Sequence, residues 1–169
     1  MSNTLFSLTR RAVAIGGLAA LAGCVTAPRR TRAPLVLFVC EHGTVKSPIA
    51  REHLRRIAAQ RGQRVRTMSR GINPSDDVSP KLAAALAQDG IDPRREPLLR
   101  LTMADLAAAD VVVTFQALPS AFDRSRIQDL RDWSDIPGMN DDYWLARGRL
   151  MPRIEALLDD VATSRQFAR

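Results

Sequence analysis

The stretch Leu35-Val36-Leu37-Phe38-Val39-Cys40-Glu41-His42-Gly43-Thr44-Val45-Lys46-Ser47-Pro48 constrains this chain more than any other. Its first five residues are apolar and rich in β-branched types, and they lead into a cysteine, which reads as a buried strand. A six-residue turn follows. Ser47 and Pro48 then read as the N-cap and first position of a helix. Strand, turn and helix start together aim successive backbone N–H groups at one point, an anion nest. A cysteine at the mouth of such a nest has its thiolate stabilised. The arrangement therefore joins an oxyanion site to a nucleophile.

The rest of the chain alternates strand and helix signals. Leu35 to Cys40 is the first strand. The helix from Ser47 runs to about Arg61, with Ala50, Leu54, Ile57 and Ala58 on one face and arginines on the other, and Gly62 ends it. Val65 to Ser69 reads as a second strand. Ser79 before Pro80 starts a second helix that runs to Asp89-Gly90, and Thr102 caps a short helix from Met103 to Ala108. Ala109 to Phe115 is a fully buried strand, Ile127 to Leu130 a further short one, and Tyr143 to about Ala162 the closing helix. Alternation of this kind predicts an α/β fold: a single three-layer domain with a mostly parallel four-stranded sheet and helices on both faces. Ligands of such folds bind at the carboxyl ends of the strands, which is where Cys40 lies. Trp133 and Trp144 are both expected to pack in the core.

The Cys40 segment resembles the phosphate loop of the low-molecular-weight protein-tyrosine phosphatases and the related thioredoxin-coupled arsenate reductases. That loop reads Cys-x5-Arg-Ser/Thr after the first strand; here it reads Cys40, five residues, Lys46, Ser47. Ser69-Arg70-Gly71 falls where the family has Ser-Ala-Gly, and Ala109-Asp110 ahead of the apolar run follows the family pattern too. The resemblance extends from about Leu35 to Asp159. It implies Cys40 as nucleophile through a phosphocysteine, Ser47 as a hydroxyl donor to the sulfur, and Glu41, His42, Gly43, Thr44, Val45 and Lys46 as the phosphate-binding loop. No cofactor is expected, and with His42 and His53 the only histidines no Cys/His cluster has metal-ligand spacing. Lys46 replaces an arginine, so it supplies charge without the planar fork that grips two phosphate oxygens. The family protonates its leaving group from an Asp-Pro pair. The matching region here, Asp132 to Tyr143, lacks that pair, and its best-placed acid is Asp135, with Asp141 and Asp142 behind it. Glu41 is unexpected beside a dianion site; it either faces outward or pairs with an arginine.

The chain before Leu35 reads as targeting. Thr9-Arg10-Arg11 precedes an apolar stretch from Ala12 to Gly23, the pattern of a twin-arginine export signal. It ends Leu21-Ala22-Gly23-Cys24, similar to a bacterial lipoprotein cleavage site, which implies lipidation at Cys24. The expected organisation is a signal peptide over 1–23, a lipidated tether over 24–34, the domain over 35–162 and a tail over 163–169. The expected location is the periplasmic side of the cell envelope, held to membrane by lipid, and to the outer membrane in a Gram-negative host. Removing the signal leaves 23 Lys+Arg against 18 Asp+Glu, a net +5. Those charges form no aromatic-interleaved patch, so nucleic acid is not an expected partner. With Cys24 lipidated, Cys40 is the sole remaining cysteine and no internal disulfide can form. Three functions follow: an envelope-tethered phosphomonoesterase acting on a phosphorylated substrate, an arsenate reductase using an external thiol, and a catalytically weak oxyanion-binding lipoprotein.

Overall fold

A computed structural model describes residues 32–167 of the chain, with side chains as far as Thr163. The segment read as a signal, the expected lipidation site Cys24 and most of the segment read as a tether lie outside the described residues. Four strands, β1 (Leu35–Cys40), β2 (Arg66–Gly71), β3 (Val111–Thr114) and β4 (Leu130–Asp132), form one parallel sheet in the order β2-β1-β3-β4. β1 is central and wholly buried, as its continuous apolar run requires. Helices α1 (Lys46–Gln60), α2 (Pro80–Asp89) and α4 (Tyr143–Phe167) cover one face, packing Leu54, Leu82, Leu86, Leu150 and Leu157 against Val36, Phe38 and Val113. The short helix α3 (Met103–Ala108) covers the other, where Leu106 meets Leu37, Val39 and Val112. The expected three-layer α/β domain is the one observed.

Several boundaries differ from the sequence reading, each for a physical reason. α1 begins at Lys46, with Val45 at the N-cap and no side-chain cap. Ser47 is therefore inside the first turn, and its hydroxyl is released from capping for other work. Pro48 is tolerated there because first-turn N–H groups have no helical acceptor. β2 runs on to Gly71 because it pairs with β1 in register as far as Cys40. β4 lies further along than expected, since Leu130 and Asp132 pair with Val112 and Thr114, while Ile127 packs under the α3 face. α4 continues to Phe167 and takes in much of the segment read as a tail. Among the described residues no helix is long and apolar enough to cross a membrane.

Two side chains reverse their expected burial. Arg51 is not on an outer face of α1 but is 1% exposed. It is matched by Glu52 (Nε to Oε1, 3.1 Å), Glu96 (Nη1 to Oε2, 3.1 Å) and the Ser69 hydroxyl (Nη1 to Oγ, 2.7 Å). A buried guanidinium is tolerated only with such partners. Trp144 is 51% exposed, whereas Trp133 packs in the core between Phe38 and Phe115.

Candidate active site

The end of β1 and the start of α1 place Cys40 over a cradle of main-chain donors. Its sulfur accepts the N–H groups of Gly43 (3.3 Å) and Ser47 (3.4 Å). Ser47 Oγ lies 3.1 Å from the same sulfur and 3.3 Å from the Arg70 carbonyl oxygen, so its one proton has two acceptors. The loop is fastened along its back to the chain leaving β2. Ile72, Asn73 and Ser75 donate N–H groups to the carbonyls of Cys40, Glu41 and His42 at 3.1, 2.8 and 3.2 Å. The turn needs glycine at position 43: φ is +73°, and an added Cβ would come within 2.7 Å of the Gly71 nitrogen.

The cradle opens into a cavity of about 370 Å³. Cys40, Glu41, His42, Val45 and Lys46 line it from the loop, Phe115 and Gln116 from the end of β3, and Asp77 and Gly138 to Asp141 from two further loops. Thr44 is turned away: its hydroxyl donates to the Ser75 carbonyl at 2.9 Å and accepts from the Asp77 N–H at 3.2 Å. Lys46 donates from Nζ to the Ile136 carbonyl at 2.6 Å. Burial pulls its ammonium below the ordinary value, and the negative charges of Cys40, Asp135 and Asp141 oppose part of that pull. His42 Nδ1 lies 3.2 Å from Asp77 Oδ2. Glu41 lines the cavity and, among the described residues, pairs with no arginine. Asn73 Nδ2 donates to it at 2.6 Å and Gln116 Nε2 donates to its other oxygen. Those two bonds, Asn73's first, hold its carboxyl below the usual range.

Asp135 is not part of the cavity lining. Both its oxygens are held by Arg153, at 2.7 and 2.5 Å, and that clamp lowers its pKa, the opposite of what a proton donor requires. Asp141 lines the cavity instead, and its carboxylate has no salt bridge or hydrogen bond among the described residues. Gly138 makes room for it, since a Cβ there would collide with that carboxylate. Asn140 ties the two outer loops together. Its Oδ1 accepts the Ser79 N–H at 3.0 Å and its Nδ2 donates to the Asp77 carbonyl at 2.7 Å. The sequence reading passed over Asp77, Gln116 and Asn140. Gln116 was findable, because it follows the carboxyl end of a parallel strand, where such folds bind ligands. Asp77 and Asn140 come from loops without a motif.

A family model described as low molecular weight phosphotyrosine protein phosphatase matches residues 35–139. The chain belongs to this family. Its members are cysteine-dependent hydrolases. Solved structures share the fold. The chain is similar to a mutant of YwlE from Bacillus subtilis (21% identity, 77% of this chain and 99% of that one, TM-score 0.66). It is similar to a thioredoxin-dependent arsenate reductase of Corynebacterium glutamicum (23%, 80% and 65%, TM-score 0.63). It is similar to a protein tyrosine phosphatase of Entamoeba histolytica (12%, 79% and 99%, TM-score 0.67). No curated protein matches the chain. Lys46, which stands where the resemblance implies an arginine, lines the cavity with Cys40.

Proposed function

We propose that this chain is a cysteine-dependent phosphomonoesterase, exported by its twin-arginine signal and tethered at the cell envelope through lipid on Cys24. The observation that carries the reading is the convergence of two backbone N–H groups and the Ser47 hydroxyl on Cys40 Sγ. The same donors that hold the sulfur can hold phosphoryl oxygens around it. Cys40 attacks phosphorus, a sulfur–phosphorus bond forms and the ester bond breaks. The leaving oxygen takes a proton from Asp141, which replaces Asp135 as the proposed acid. Water then attacks the phosphocysteine and gives a proton back to Asp141, and inorganic phosphate leaves with the thiolate restored. Lys46 offsets phosphoryl charge as a single cation, without the paired bonds of an arginine.

The test is hydrolysis of 4-nitrophenyl phosphate under reducing conditions by the chain from Ala33 onward, beside Cys40→Ser. The expected outcome is turnover that disappears in the variant, a loss of at least about 1000-fold. No turnover in the wild type, with phosphate still protecting Cys40 from alkylation, would leave an oxyanion binder. Arsenate reduction is the second reading, favoured by a nest that fits arsenate as well as phosphate. With Cys40 the only free cysteine described, it needs an external thiol. Arsenite formed from arsenate with glutathione but not without it would support that reading.

A further inference from the structure

Glu41 directly follows Cys40 and lines the same cavity. A carboxylate there repels phosphoryl oxygens unless a cation faces it. Among the described residues no lysine or arginine forms a salt bridge with Glu41. Its partners are instead two side-chain amides from separate elements, Asn73 beyond β2 and Gln116 beyond β3. An amide donates a hydrogen bond without cancelling charge, so both contacts stabilise the ionised form and leave its field intact.

The cavity's own bases are directed away from Glu41. The Lys46 ammonium keeps its charge but donates to the Ile136 carbonyl, and His42 Nδ1 lies 3.2 Å from Asp77 Oδ2. The floor of the cavity thus favours an anion, through main-chain N–H groups, while the wall next to it keeps a fixed negative charge. One kind of ligand suits both: an oxyanion whose organic part carries a positive charge.

We propose that Glu41 is a specificity-determining residue that selects phosphomonoesters bearing an ammonium group on the part of the substrate nearest the ester bond. The inference rests on the phosphatase reading of Cys40.

The test uses the purified full chain and three benzylphosphonates that differ only at the para position: aminomethyl, methyl and carboxyl. The readout is protection of Cys40 from alkylation by iodoacetamide, so it does not depend on turnover. The aminomethyl compound is expected to protect at about tenfold lower concentration than the methyl compound, with the carboxyl compound weakest. In Glu41→Gln the three should protect within about threefold of one another. Equal protection in the wild type, a preference for the carboxyl compound, or no protection by any of the three overturns the inference. An order that Glu41→Gln leaves unchanged removes the role from Glu41. The wild-type series decides the charge preference even where the variant does not fold. Aryl phosphate hydrolysis on the same preparation separates the two ideas: Cys40-dependent turnover with equal protection sinks the role of Glu41 and leaves the phosphatase standing.

Discussion

The floor and the far wall of the Cys40 cavity are made of different material. The floor is main chain: the N–H groups of Gly43 and Ser47, aimed by a helix start and by the close approach of Gly43 to Gly71. The wall is side chain: Asp77, Asn140 and Asp141 on two loops, tied by Asn140 and by Lys81, whose Nζ donates to the Asp141 carbonyl at 2.6 Å. Backbone donors persist through most substitutions, because every residue but proline carries one. Side-chain walls are rebuilt by single substitutions. An oxyanion affinity set by the floor can therefore outlast changes in turnover and selectivity set by the wall.

The largest expected effect lies where the wall is anchored. Tyr143 follows the wall loop directly. Its hydroxyl donates to Asp89 at 2.5 Å and lies 3.1 Å from His53 Nε2 on α1, while Arg147 Nε donates to the same carboxylate at 2.6 Å. Burial pulls the His53 pKa down to about 4, although Asp89 pulls the other way. An unfolded histidine titrates near 6.5, so between about 6.5 and 4 the unfolded chain binds the extra proton. Stability contributed by neutral His53 is complete above that window and is lost as pH falls through it, by about 3 kcal/mol. Urea denaturation at pH 7 and pH 4.5 measures the loss. His53→Gln should remove most of that slope. A slope unchanged in the variant would mean that the anchor is not what acid weakens.

Next in size is the exchange of acids on the wall. Asp141→Asn should lower kcat for phenyl phosphate about 100-fold, and less for 4-nitrophenyl phosphate, whose leaving group needs no proton. Asp135→Asn should stay within about threefold of wild type for both, since Arg153 already holds that carboxylate outside the cavity lining. The reverse ranking would return the role to Asp135 and make the Arg153 pair a resting contact.

The same division explains how much the sequence disclosed. The floor was legible because it is local. A buried strand, a turn and a helix start occupy one short stretch, and Cys40, Gly43 and Ser47 take their places from backbone geometry alone. The sheet was legible for a related reason, since β1 and β3 are apolar runs with no alternative to burial. Ser47 makes the contact to Cys40 that the resemblance implies, but it does not take the N-cap position that serine before proline suggests. The wall was not legible. Asp135 and Asp141 are separated by six positions in one acidic stretch, and the choice between them is made by Arg153, eighteen residues on along α4 from Asp135. The arginine partner considered for Glu41 is not seen among the described residues, because its partners are the amides of Asn73 and Gln116, 32 and 75 residues away. Arg51 fell on the wrong side of α1 for the same reason: its acid and hydroxyl partners, Glu96 and Ser69, lie 45 and 18 residues off.

The smallest of the three effects bears on Lys46, where floor and wall meet. It sits at the first position of α1, yet its ammonium reaches across the cavity to the Ile136 carbonyl of the wall loop. A lysine held there gives one directed bond and a charge, and with its ammonium on Ile136 it is not free to grip a phosphoryl group. An arginine could keep a bond to Ile136 with one nitrogen and direct others to phosphoryl oxygens, since its donors are a rigid fork. Lys46→Arg should therefore raise kcat/KM for 4-nitrophenyl phosphate about 30-fold, or about 2 kcal/mol of transition-state stabilisation. The comparison with arsenate gives the gain its meaning. In a chain with 23 arginines and only two lysines, a lysine at this position is unlike its surroundings. Should the substitution raise phosphatase activity while weakening arsenate or another oxyanion, the site is tuned to a different group. Should it raise phosphatase activity and cost nothing elsewhere, Lys46 records a loss of phosphatase power, and the floor alone has kept the oxyanion site intact.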